Sequence, residues 1–337
     1  MYTKLRKLVK AFGVSGFENE IADIIEHDIK KYVDRIYRDT LGNLICVKRI
    51  GPEFVEKPEK IMITAHMDTI GIIVMEVDDK GYIHFSNIGT LKAVSLIGRV
   101  IDFKNGIKGV VCYDSSKDIK DATISTLFID TGLECEEVRK KITIGTYGEI
   151  VFDVYMQEDI IISGHLDNRA GCVILLDVME KLSNVKSESA KEIYFVFSVQ
   201  EELGLRGAGP AAYNIKPDIA IVVDTAYAED TSGSNGEKLC MGKGPVIMVK
   251  DGKTISHPYI RERLKGVADR LRIKYQIGIT EKGATDAGII HKTLGGVVTG
   301  GLSVAIRYIH SPAEMCNMKD LREASEMLTV LLETKLL

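Results

Sequence analysis

Carboxylates stand where a buried strand ends. Val199-Gln200-Glu201-Glu202-Leu203-Gly204-Leu205-Arg206-Gly207-Ala208 follows the apolar run 193–197, so two adjacent acids enter a glycine-bearing turn at the edge of a core. Charge placed there is costly without a partner. A divalent cation is a partner that lets one glutamate ligate while the other carries protons. Taken alone the pair reads more simply as a solvated turn, because glutamate is mostly exposed in proteins. Other strand ends shift that balance. Ile61-Met62-Ile63-Thr64-Ala65-His66-Met67-Asp68 is a second apolar run that finishes in polar residues. Side chains alternate along an extended chain, so His66 and Asp68 share a side, and Asp68 can hold one ring nitrogen while the other is offered to a metal. Three further runs finish the same way, in His165 and Asp167, in Asp224, and in His310.

Two histidines and four or five carboxylates at strand ends, with no clustered cysteines, suit a pair of divalent cations of the zinc, cobalt or manganese kind. In open α/β sheets ligands collect at the carboxyl ends of strands. Two ions about 3.5–4 Å apart that share a carboxylate activate water and polarise a carbonyl, and a free glutamate then moves the proton. The chemistry predicted is metal-assisted hydrolysis.

The elements that must position these groups follow from periodicity. Helical spacing is predicted over residues 2–11, 18–33, 170–182, 207–213, 256–272, 284–292 and 318–334. Strands are predicted at 35–38, 43–48, 61–66, 160–163, 193–197, 217–224, 273–279, 296–299 and 303–307. Between residues 72 and 158 short Val/Ile/Phe runs broken by glycines replace this alternation, with one helix expected at 133–141, as in a small β sandwich or barrel. The expected fold class is therefore α/β: a catalytic domain from 1–70 and 160–337, with a mixed sheet between helices, interrupted by a β-rich insertion at 71–159. Residues 232–236 read as a plain loop.

Composition sets outer limits. With 337 residues, 45 % hydrophobic and 27 % charged, the chain is ordinary globular material, and a net charge of -4 supplies neither a nucleic-acid footprint nor a polybasic membrane anchor. No run approaches the roughly 18 apolar residues of a membrane span. Six cysteines without C-x-x-C spacing read as core thiols of a reducing compartment, and a cytoplasmic location is expected.

AHMD (65–68), HLDNRAG (165–171), VQEELGLRGA (199–208), VVDT (222–225), KGATDAGIIH (282–291) and RYIHSP (307–312), in this order, resemble the tetrahedral, dodecameric metallo-aminopeptidases that include glutamyl and deblocking aminopeptidases. The resemblance implies two divalent metal ions per subunit, zinc or cobalt foremost and manganese next. It implies His66, Asp167 and Asp224 on one ion and Asp167, Glu202 and His310 on the other, with Asp167 bridging. It further implies Glu201 as general base, Asp68 orienting His66, a strained or cis peptide after Asp167, and no ligand role for His165. Peptide substrates, a PDZ-like insertion, and self-association through dimers into a tetrahedral dodecamer belong to the same expectation. Thr69 departs from the pattern, since an acidic residue usually follows the AHMD motif, and it alters the charge expected beside the ions.

Three rival readings carry less weight. A glycoside hydrolase needs carboxylates facing each other across a sugar, about 5–9 Å apart, whereas Glu201 and Glu202 are neighbours and the chain has no Trp. A dinuclear deacylase shares the same scaffold and is separated only by substrate. A peptide-binding assembly protein has no use for a free glutamate beside a complete ligand set.

Overall fold

The computed structural model describes residues 1–52, 57–114, 116, 118–183, 185, 187, 189–233, 239–281 and 283–336; residues 234–236 of the expected loop and Lys282 of its motif lie outside them. The chain opens with α1 (Tyr2–Val9), α2 (Asn19–Ile29), β1 (Arg35–Arg38), β2 (Leu44–Ile50) and β3 (Glu59–His66). Six strands follow, β4 (Gly71–Val77), β5 (Ile83–Ile88), β6 (Val100–Phe103), β7 (Lys108–Tyr113), β8 (Leu127–Asp130) and β9 (Tyr147–Ile150), with α3 (Ala93–Leu96) and α4 (Cys135–Lys141) among them. Then come β10 (Tyr155–Gln157), β11 (Ile160–Ser163), α5 (Leu166–Leu182), β12 (Lys191–Ser198), α6 (Ala208–Ile215), β13 (Ile219–Tyr227) and β14 (Val246–Lys250). The chain closes with α7 (Pro258–Leu271), β15 (Gln276–Ile279), α8 (Ala287–Ile290), β16 (Val298–Ile306), β17 (Glu314–Asn317) and α9 (Met318–Glu333).

Eight strands form one mixed sheet in the order β1-β2-β12-β3-β13-β16-β14-β15. Its central strands β12, β3, β13 and β16 run parallel, so their carboxyl ends meet on one edge. Both faces are buried, which explains why these strands read as continuous apolar runs. Ile61, Ile63, Ile193, Phe195, Phe197, Ile221 and Val223 pack with residues of α1, α2, α5, α7 and α9. The alternate residues Met62, Tyr194, Val196, Ala220 and Val222 pack with the small side chains of α6 and α8. Burying one such side chain contributes about 1.5–3 kcal/mol, so this two-sided packing fixes strand register.

Strands β4 to β9 close into a barrel in the order β4-β5-β8-β7-β6-β9. Its core is its own: Ile72 and Val74, Ile83 and Phe85, Ile101 and Phe103, and Leu127 and Ile129 point inward at every second position. A third, small sheet, β10-β11-β17, joins the strand before Asp167 to the strand after His310.

Two expectations require correction. The two strands expected at 296–299 and 303–307 merge into one continuous strand, β16 (Val298–Ile306), although Gly300-Gly301 reads as a break. The glycines are there because neighbours lie so close: a Cβ on Gly300 would sit 2.4 Å from Ile260 Cγ2, and one on Gly301 3.1 Å from Met248 Cβ. The expected helix at 284–292 shortens to α8. Strands β14 and β17 were not anticipated, since each is a short run with little alternation.

Near the amino end of α9, Asp320 accepts the N–H groups of Gly242 (2.7 Å) and Gly244 (2.9 Å), yet burial pushes its carboxyl up to about 6. A carboxyl raised above its unfolded value contributes stability that is fully present below that value, about 3.9, and is lost as pH rises through the folded one. Asp320→Asn is therefore expected to flatten the fall in stability between pH about 4 and 6. Urea midpoints across that range check this, and an unchanged slope would contradict it.

Candidate active site

Each strand end delivers one or two groups to a common point. His66 ends β3, Glu201 and Glu202 follow β12, Asp224 lies late in β13, Asp167 begins α5 after β11, and His310 follows β16. His66 Nε2 lies 3.4 Å from Asp167 Oδ1 and 3.6 Å from Asp224 Oδ1. His310 Nε2 lies 3.3 Å from Asp167 Oδ2 and 3.1 Å from Glu202 Oε1. Two sets of candidate ligand atoms result, each within 4.8 Å of one another: His66, Asp167 and Asp224, and Asp167, Glu202 and His310. Asp167 belongs to both. Glu201 belongs to neither, and its Oε2 stands 4.0 Å from His66 Nε2.

The donor chemistry fits two divalent cations. The sets are mixed imidazole and carboxylate, the kind that zinc, cobalt and manganese accept. Glu202 Oε1 is buried and lacks a properly directed hydrogen bond despite its nearness to His310, so an electron pair is left to donate. Burial pushes the Glu201, Glu202 and Asp224 carboxyls up, and their mutual repulsion adds to it. Burial pulls His66 and His310 down, but the carboxylates around them outweigh it and hold both imidazoles far above their usual range. A protein site that draws protons onto its bases this strongly has room for cations in their place.

Secondary hydrogen bonds hold the cluster in shape. His66 Nδ1 is paired with the main-chain O of Asp68 at 3.2 Å, with Asp68 Oδ1 3.5 Å away, and the Asp68 carboxylate accepts Ser15 Oγ (2.6 Å) and the backbone N–H groups of Glu201 (3.0 Å) and Glu202 (3.1 Å). Glu314 does the same elsewhere, accepting the N–H groups of Asp167 (3.0 Å) and His310 (2.8 Å). Asn43 braces the turn after β12, accepting from Val199 N (3.0 Å) and donating to Gly207 O (2.9 Å), and Asp286 accepts Ser198 Oγ at 2.5 Å. Gln200, Leu205, Tyr308 and His310 take left-handed backbone angles at these strand ends, and the Asp167–Asn168 peptide is cis.

Asp68 and the five candidate ligands thus lie together with Glu201, while other histidines lie apart. His165 stacks edge-on against Phe152 at 4.6 Å, and burial pulls its imidazole down to about 3. Thr69 is turned from the cluster, donating to Gly13 O at 3.2 Å. Sequence reasoning missed Glu314, Asn43 and Ser15. Glu314 stood inside the last motif-bearing run, four residues after His310, but its work is with backbone N–H groups, which a motif does not display.

The cluster floors a cavity of about 360 Å³ whose walls are partly apolar, with Leu205, Leu239, Met248 and Ile279, and partly polar. Mixed sheet, strand-end groups and cavity together form a hydrolase site, and comparison with known proteins makes the family plain. The chain matches the M42 glutamyl aminopeptidase family over residues 42–327 and belongs to it. It is 44 % identical to a putative aminopeptidase of Acetivibrio thermocellus, covering 97 % of each chain. An aminopeptidase structure from Desulfurococcus kamchatkensis superposes with a TM-score of 0.92 at 32 % identity, covering 98 % of this chain and 94 % of that one. The TET1 peptidase of Pyrococcus horikoshii, which assembles into a tetrahedron or a large octahedral shell, superposes with a TM-score of 0.88 at 28 % identity over 99 % of both. The chain is a peptidase with aminopeptidase function. Among the described residues no helix is long and apolar enough to cross a membrane.

If cations complete this cluster, they stabilise the native state in proportion to the logarithm of their concentration. At about one hundred times the dissociation constant the gain is about 2.7 kcal/mol. Thermal melts of chelator-treated protein are expected to rise on adding Zn²⁺, Co²⁺ or Mn²⁺, and much less for Asp167→Asn. Equal melting with and without each ion would contradict the fit.

Proposed function

We propose that the protein removes N-terminal residues from peptides at a site of two divalent cations, with Glu201 as general base. The observation that carries this reading is the division of acids: five ligands in two sets that share Asp167, and one buried glutamate left over beside them. When bound, the two ions supply Lewis acidity that lowers the pKa of water and polarises a peptide carbonyl. Glu201 takes a proton from the attacking water and returns it to the departing amine as the C–N bond breaks. Its raised affinity for protons suits that traffic. Asp68 keeps His66 in the tautomer that offers Nε2 outward, and by accepting the Glu201 N–H it fixes where the base stands. The cavity walls receive the N-terminal side chain.

A deacylase built on the same ligands is the second reading, and substrate choice separates the two. The likeness to peptidases that form a dodecamer, a tetrahedron or a large octahedral shell supports self-association, read here as dimers joined into a tetrahedral dodecamer; residues 71–159 as the assembling unit and a cytoplasmic location belong to the proposal. A chamber of that kind admits peptides and excludes folded proteins.

Glu201→Gln is expected to lower kcat by about 10²–10⁴ while two metal equivalents remain bound by elemental analysis, whereas Asp167→Asn loses metal and activity together. Peptides with a free amino terminus are expected to be cleaved and N-acylated ones spared. Near-parent turnover by Glu201→Gln, or cleavage of the acylated set alone, would refute this function.

A further inference from the structure

The sheet ends at β15, which pairs with β14 and with no other strand among the described residues. Gln276 N–H bonds to Pro245 O (2.8 Å) and Thr280 N–H to Lys250 O (3.0 Å), so alternate residues of β15 face inward to β14. By that alternation the backbone N–H and C=O groups of Ile277 and Ile279 face away from the sheet. Their side chains share one face and are 42 % and 57 % exposed. The edge is short, at four residues, but Gln276–Ile279 contains no charge and no proline, two further devices by which proteins keep other strands off an edge.

The edge runs into the catalytic cavity. Ile279 and Thr280 line the same space as His66, Asp167, Glu201 and His310. An extended chain laid along β15 at about 3.3 Å per residue therefore has one end at the cavity, beside Ile279 and Thr280, and two or three residues on the strand leading away from it. Tyr227, 47 % exposed and lining the same cavity, adds apolar surface.

We propose that the outer edge of β15 binds the substrate downstream of the cleaved residue as an added antiparallel strand, which makes extended peptides of four or more residues the preferred substrates. This rests on the aminopeptidase reading of the site. Backbone pairing supplies affinity without regard to sequence, while Ile277 and Ile279 favour an apolar side chain at one of the downstream positions. Dipeptides and aminoacyl anilides, which have little or no downstream chain, use the cavity alone.

Ile277→Pro removes an outward N–H while leaving the inward bonds to β14, a substitution edge strands tolerate. The expected result is a loss of about tenfold in kcat/KM for a hexapeptide, with the kcat/KM for an aminoacyl p-nitroanilide within about twofold of the parent. N-methylation of single downstream amides in the hexapeptide is expected to reproduce the loss in the unchanged enzyme, position by position in alternation, and this arm stands even if the variant misfolds. Equal hexapeptide and anilide effects, or indifference to N-methylation, would overturn the proposal. Sedimentation showing that Ile277→Pro breaks the assembly, with both substrates affected alike, would assign the edge to a second copy of the chain instead. An unchanged enzyme that cleaves neither substrate would defeat the aminopeptidase reading itself, a result distinct from all of these.

Discussion

Negative charge packed into a largely buried cluster is the constraint on which this structure depends. Asp167, Asp224, Glu201 and Glu202 surround two imidazoles at the ends of buried parallel strands, and Asp68, Asp286 and Glu314 lie just behind them. At an effective dielectric of about 20, two unit charges 4 Å apart interact by about 4 kcal/mol, so the cluster is tolerable only with countercharge at its centre. The protein offers little of its own. Arg169, fully buried, makes no ion pair within 4 Å among the described residues, and its Nε and Nη1 lack partners. Divalent cations would supply that charge, and the two candidate ligand sets have the composition to hold them.

That constraint divides the acids into two kinds. Those in the two ligand sets face the centre and have oxygens to spare. Asp68 and Glu314 instead accept backbone N–H groups of Glu201, Glu202, Asp167 and His310, the candidate ligands and the proposed base. Such bonds place Glu201 by its main chain, not by its side chain, which leaves the carboxylate free to exchange protons. Because the supports come from distant segments, the site forms only when β3, β12, α5 and β16 are all in register. Catalytic geometry and fold stability are thus one problem, and the two-sided packing of the sheet solves both.

Much of this was legible in the chain because the strand ends break a strong local rule. Polar and ionisable residues at or just past the end of an apolar run are conspicuous: Asp224 directly follows Ile219-Ala220-Ile221-Val222-Val223, and His66, Asp68, Glu201, Glu202 and His310 stand at or a few residues past the ends of such runs. Asp167, four residues beyond the end of β11, followed from the same pattern. The central strands and longer helices were equally plain, since two-faced burial and helical periodicity are properties of single segments. What escaped was set by contacts between segments. Gly300-Gly301 looks like an interruption until Ile260 and Met248 are seen pressed against it, and Asn43 looks like a turn residue until the N–H of Val199 meets its side chain. No sequence interval encodes that a carboxylate four residues after His310 reaches back to two backbone amides.

The central claim is that two cations lie in the cluster with Asp167 between them and Glu201 outside their coordination. Anomalous diffraction from crystals of protein loaded with Zn²⁺ or Co²⁺, collected on either side of the metal absorption edge, tests it directly. The account predicts two peaks per subunit about 3.5–4 Å apart, one beside His66 and Asp224 and the other beside Glu202 and His310, with Asp167 reaching both. A single peak, or a peak coordinated by Glu201, would contradict it.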